Sequence, residues 1–160
     1  MEDLTKALGK DATDSASWCE AADLLETGTV EINGKSYSKQ ALYIEALEHN
    51  AELAVAWVGL GLLLGETETD DGAAAVVVVK GKKHKEQDLY VQALLHDAEN
   101  AVAWANLGYC MDRRTIVVNG RNLTEQKVFL EALKFDSTSA FTWFNLGRTM
   151  DADGDAIATN

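Results

Sequence analysis

Two hydrophobic periodicities alternate along this chain. In Ala101 to Met111 the residues Trp104, Leu107, Gly108 and Met111 recur at steps of three or four, which puts them on one face of a helix. A short run with period two follows. Ile116-Val117-Val118-Asn119-Gly120-Arg121-Asn122-Leu123 and Val30-Glu31-Ile32-Asn33-Gly34-Lys35-Ser36-Tyr37 both alternate around Asn-Gly. Asn-Gly between alternating strands predicts a two-residue hairpin turn, because both turn residues must take positive φ. Val77-Val78-Val79-Lys80-Gly81 repeats the form with Lys in the poorer Asn slot. A second helix is predicted next, as in Gln40 to His49, with Leu42, Tyr43, Ala46 and Leu47 on one face. It ends at Asn50, Asp97 or Asp136, and a short polar turn leads into the next Trp helix.

This sequence of helix, hairpin and helix is itself repeated. Trp18, Trp57, Trp104 and Trp143 stand at intervals of 39, 47 and 39 residues. Gly34, Gly81 and Gly120 each precede an aromatic (Tyr43, Tyr90, Phe129) by nine residues, and each aromatic precedes the next Trp by fourteen. The interval from Trp to Gly is 16, then 24, then 16, so the second unit carries an eight-residue insertion within Gly65 to Ala75. A regular period of this size marks a repeat architecture, in which one unit cannot bury its apolar stripe alone and stacks on its neighbours. The phase divides the chain into a half unit at 2–12, units at 13–50, 51–97 and 98–136, a half unit at 137–151 and a polar tail at 152–160. The expected fold is a mostly α-helical repeat solenoid of about eight helices, with a short β-hairpin between the two helices of each unit. Gly61, Gly108 and Gly147 each follow a Leu of the Trp helix and are expected to let a neighbouring helix approach closely.

These residues resemble the tetratricopeptide repeat. Trp57-Val58-Gly59-Leu60-Gly61, Trp104-Ala105-Asn106-Leu107-Gly108 and Trp143-Phe144-Asn145-Leu146-Gly147 match its opening, and Trp18-Cys19-Glu20-Ala21-Ala22 is a degenerate copy. ALEHNAELAVAW, ALLHDAENAVAW and ALKFDSTSAFTW match its second helix, turn and next Trp, so the resemblance covers about residues 4–150. The period is five longer than the usual 34, and the extra residues fall at the hairpin. Lys39, Glu86 and Glu125 stand where the family has a small residue, and Ala51, Ala98 and Ser137 where it has the turn proline. The resemblance implies binding of a partner peptide or protein along the face of the Trp helices. It implies that the Asn two residues after the Trp, here Asn106 and Asn145, holds a peptide backbone. Tyr109, Arg113 and Arg148 lie further along that face, against Asp23 and Glu26 in the first unit. The competing reading is a solvated face. Cys19, Val58 and Ala105 occupy slots where a clamp for a chaperone's carboxylate tail needs Lys, Arg or Asn, so that specificity is not expected.

Composition narrows the function without naming it. With 47% apolar and 25% charged residues the chain has a globular makeup, and its net charge of −12 argues against nucleic acid or anionic lipid as partner. The start Met1-Glu2-Asp3 is not that of a signal peptide, and two cysteines make no disulfide framework, so a cytoplasmic protein with reduced thiols is expected. On that reading the sequon Asn122-Leu123-Thr124 stays unmodified. No nucleophile motif, phosphate loop or metal-ligand spacing is present, so neither an enzyme nor a cofactor is expected. His49 and His96 close the second helices of two units, and Cys19 and Cys110 read as packing residues. Asp151-Ala152-Asp153-Gly154-Asp155 lacks the glycine position of a calcium loop and reads as a polar tail. Lys80, Lys82, Lys83 and Lys85 cluster at the second hairpin, either as a basic patch for an acidic partner or as lysines that keep a hairpin tip soluble. The alternative to a peptide-binding module is a segment of a longer array that associates end to end through its half units.

Overall fold

The computed structural model describes residues 2–67, 75–111 and 114–157. Among them the chain forms eight helices and three two-stranded antiparallel hairpins. In chain order these are α1 (Glu2–Lys10), α2 (Ser15–Leu24), β1 (Thr29–Ile32), β2 (Lys35–Ser38), α3 (Lys39–His49), α4 (Ala54–Gly65), β3 (Val77–Val79), β4 (Lys82–His84), α5 (Glu86–His96), α6 (Ala101–Cys110), β5 (Thr115–Val118), β6 (Arg121–Thr124), α7 (Glu125–Phe135) and α8 (Ala140–Ile157). Each helix packs on the next in the chain, and the Trp helices α2, α4, α6 and α8 also touch in succession. No described helix is long and apolar enough to cross a membrane.

Local chemistry accounts for the element boundaries. Asp14, Ser38, Asn100 and Thr124 accept a backbone N–H from the first turn of α2, α3, α6 and α7, which satisfies a donor the helix leaves unpaired. Each hairpin turns on a pair of positive-φ residues, Asn33-Gly34, Lys80-Gly81 and Asn119-Gly120. Asn tolerates the left-handed region, whereas a lysine there is strained by roughly 1–2 kcal/mol. Lys80→Asn is therefore expected to stabilise the chain by about 1 kcal/mol, read as a higher urea midpoint with an unchanged slope. A midpoint that stays put would mean the turn holds no such strain.

Every hairpin is held in the same way. Its tip rests on the last turn of the helix before the Trp helix. A side chain at Gly9 of α1 would meet Asn33 Oδ1, the Lys80 backbone N–H donates to Glu48 Oε1 of α3 at 2.9 Å, and Asn119 Nδ2 donates to the Leu94 carbonyl of α5 at 3.0 Å. Val77 and Val79 are buried while Val78 faces outward, so the apolar valine run is the packed first strand of its hairpin. A cross-link also recurs from the second strand to the helix that follows. Lys35 pairs with Glu45 at 3.2 Å, and Arg121 with the buried Glu131 at 2.6 Å. The Arg121 guanidinium, helped by Lys134, holds the Glu131 carboxyl below the usual range against the opposing effect of burial. In the second unit the equivalent residues are Lys82 and Gln92, and the pair is missing.

Each of the Trp helices α2, α4 and α6 is closed by its own hairpin and second helix. The residue three after the turn glycine covers the indole: Tyr37 packs on Trp18 at 5.0 Å and His84 edge-on to Trp57 at 5.3 Å, while Leu123, in the same register after Gly120, is buried. The second-helix aromatic lies on the glycine four after the Trp. A Cβ at Gly61 would come within 2.6 Å of the Tyr90 ring, and one at Gly108 within 2.8 Å of the Phe129 ring. Gly59 makes the same kind of contact with Tyr43 of the preceding unit. Gly147, expected to play this part, has nothing within 4 Å among the described residues, where no further helix follows α8 to lie on this side of it. The indole N–H is fixed in the same way at all four tryptophans. Trp18, Trp57, Trp104 and Trp143 donate to the carbonyls of Ala12, Ala51, Ala98 and Ser137 at 2.8, 2.8, 2.9 and 2.8 Å.

The backbone of α8 stays helical to Ile157, beyond position 151 where the sequence reading placed a polar tail. That stretch has no proline, and its alanines favour helix.

Candidate functional site

The positions two before, two after and five after each Trp fall on one helix face, at steps of four and three. On α4 and α6 they are Val55, Gly59 and Leu62, then Val102, Asn106 and Tyr109; on α8 they are Phe141, Asn145 and Arg148. Val55, Leu62, Val102, Tyr109 and Phe141 are all exposed, although each is a large apolar side chain. The faces of α6 and α8 join. Tyr109 of α6 packs on Phe141 of α8, ring centroids 5.6 Å apart. A small cleft between α6 and the start of α8 is lined by Val102, Ala105, Asn106, Ser139 and Thr142. On α2 the same positions are Ala16, Glu20 and Asp23, all exposed. The row thus runs from carboxylates on α2 through an apolar middle to Arg148 on α8.

The polar residues that the sequence singles out on this face differ in how far they are committed. Asn106 is half-buried; its Nδ2 donates to the Val102 carbonyl at 2.9 Å, and its carbonyl oxygen faces no donor among the described residues. Asn145 is buried, with Nδ2 on the Phe141 carbonyl at 2.8 Å and Oδ1 accepting from Arg148 at 3.1 Å, so its amide is spent inside α8. The repeated Asn slot therefore does not present two equivalent amides. The next residue, Leu146, packs on Phe129 and Leu133 of α7. Arg148 is exposed apart from that bond. Asp23 accepts the Tyr43 hydroxyl at 2.5 Å, and Glu26 is exposed in the loop after α2. Arg113 lies outside the described residues.

The four lysines of the second hairpin are exposed, and none forms an ion pair among the described residues. Lys82 is left without a carboxylate because Gln92 stands where the other units have Glu45 and Glu131. His49 and His96 are exposed at helix ends, and the described residues hold no group of side chains able to bind a metal ion. Burial, with Asp23 adding to it, pushes the Cys19 thiol up to about 11, which keeps it an unreactive packing residue. His84 was not singled out by the sequence. Its ring closes the Trp57 pocket, and burial lowers its basicity. A wider cleft of about 560 Å³ opens between α5 and β5, lined by Gln87, Asp88, Val91, Arg114, Ile116 and Asn122. Its lining mixes charges without converging polar groups.

Compared with known protein families and with characterised proteins, the chain matches none.

Proposed function

We propose that this protein is a non-catalytic interaction module: its units stack as a tetratricopeptide-like solenoid, and the face of its Trp helices binds a partner peptide or protein. The observation that carries this reading is the recurrence of exposed apolar side chains at fixed slots. Scattered exposed hydrophobics are ordinary. Here Val55 and Leu62, Val102 and Tyr109, and Phe141 repeat seven residues apart on adjacent helices, and a joined apolar strip with polar ends fits a partner rather than water. Asn106 offers its carbonyl oxygen to a peptide N–H in the middle of the strip. Arg148 favours an acidic residue at one end, and Glu20 and Asp23 a basic one at the other, which sets the direction of the bound segment.

A photo-crosslinking residue placed at Val102 tests this reading against the same residue at Lys83 on the hairpin. The proposal expects discrete protein adducts from position 102 in cell extract and none from position 83. It also expects Val102→Arg with Tyr109→Glu to remove binding of the captured partner at least ten-fold while changing stability by no more than about 0.5 kcal/mol. Adducts only from position 83, or from neither, would overturn it.

A further inference from the structure

The last Trp helix is built like the others but left open. Trp18, Trp57 and Trp104 are 3%, 4% and 3% exposed, whereas Trp143 is 53% exposed. The next position is Cys19, Val58 or Ala105 in the buried units and Phe144, 69% exposed, in α8. Gly147, one turn further on, has the empty space that Tyr90 fills at Gly61 and Phe129 fills at Gly108, and Met150 extends the same open face. The indole N–H of Trp143 still donates to the Ser137 carbonyl at 2.8 Å, so the ring is held ready rather than displaced.

The first helix, α1, presents a complementary surface. By register α1 is a second-type helix: Ala7-Leu8 corresponds to Ala46-Leu47, Ala93-Leu94 and Ala132-Leu133, and Leu4 to the aromatic slot. Leu8 is buried, as its counterparts Leu47, Leu94 and Leu133 are, and α1 packs on α2. Ala7 is exposed, although its counterparts Ala46, Ala93 and Ala132 are buried. Among the described residues α8 is a Trp helix without a second helix of its own, and α1 is a second helix without a Trp helix of its own.

We propose that α8 of one copy docks α1 of another, so that the two half units complete a fourth unit across the joint. The chain itself contains the template for this contact three times, in α2·α3, α4·α5 and α6·α7. Because the two surfaces differ, the contact is heterologous and each added copy presents a new open end, giving linear oligomers rather than a closed dimer. The arriving α1 brings no hairpin, so nothing takes the place of Tyr37, His84 or Leu123 over Trp143. The joint is therefore weaker than the contacts within the chain, and association belongs at concentrations from about 0.1 to 1 mM. The charge of −12 on every copy opposes it, so added salt strengthens it.

Sedimentation of the 160-residue chain over that concentration range, at low and high salt, reads the proposal directly. The expected result is a weight-average mass that climbs past that of two copies. Two variants block one end each at positions that are free in the single copy: Gly147→Leu fills the open space on α8, and Ala7→Arg places a charge on the exposed side of α1. Each alone is expected to remain monomeric with an unchanged thermal midpoint or, for Gly147→Leu, a higher one. Mixed together they are expected to form pairs and stop at the mass of two copies, since each supplies one intact end. A strictly monomeric wild-type chain would overturn the proposal. So would association that survives Ala7→Arg but not Gly147→Leu, which would mean that α8 meets another α8, a ligand or a different partner instead of α1.

Discussion

Trp57→Ala or Trp104→Ala should cost about 3–5 kcal/mol, while Trp143→Ala should cost less than about 1 kcal/mol. All three indoles donate to a carbonyl six residues earlier, so the loss of that bond is common to the three variants. The difference is packing. Trp57 packs edge-on to His84 and is 4% exposed, so truncation leaves a cavity the size of an indole. Trp143 already faces solvent on one side, and water fills the space left by its removal. Chemical denaturation at low protein concentration, where copies do not associate, measures both numbers. Against a total stability of about 5–15 kcal/mol, the first loss threatens folding at ambient temperature. Equal costs for the three variants would show that the fourth unit is closed in solution.

The glycines give the second contrast. Gly61→Leu and Gly108→Leu are expected to lose about 3 kcal/mol or more, because the new side chain must displace Tyr90 or Phe129 from between two helices. Both rings are fully buried, and neither can swing outward without opening the core. Gly147→Leu meets open space and gains up to about 1 kcal/mol of helix propensity. Thermal melts of the three variants therefore move in opposite directions. A Gly108→Leu protein with the wild-type midpoint would mean that α6 and α7 sit further apart than the Phe129 contact requires.

Much of this arrangement is legible in the sequence because its determinants are local or recur in phase. Asn33-Gly34 and Asn119-Gly120 define their turns by backbone sterics alone, and the spacing of the Trp, Gly and aromatic positions carried the same turn to Lys80-Gly81, where residue type argued against it. The helix faces follow from steps of three and four. What stayed hidden depends on which surfaces meet. Asn106 and Asn145 occupy one slot in the sequence, yet the second is buried and its Oδ1 is taken by Arg148, one turn further along the helix. The role of His84 could not be read from its own neighbourhood. Alignment with Tyr37 and Leu123, three residues after each turn glycine, is the signal that would have found it. The same alignment exposes the Lys35–Glu45 and Arg121–Glu131 pairs, ten residues apart in both units, and explains the unpaired Lys82 by the glutamine at position 92.

The exposed stripe on α4, α6 and α8 and the open end of α8 are different surfaces of one design, in which each Trp helix gives one face to its own second helix and another to solvent. The central claim is that three Trp helices are closed and the fourth is open. Fluorine NMR of the chain labelled with 5-fluorotryptophan tests it with one residue type in four settings. The account predicts three resonances that are insensitive to a solute quencher and to the change from H2O to D2O, and one, assigned by Trp143→Phe, that responds to both and moves as protein concentration rises. Four resonances that respond alike, or a Trp143 signal as protected as that of Trp57, would contradict it.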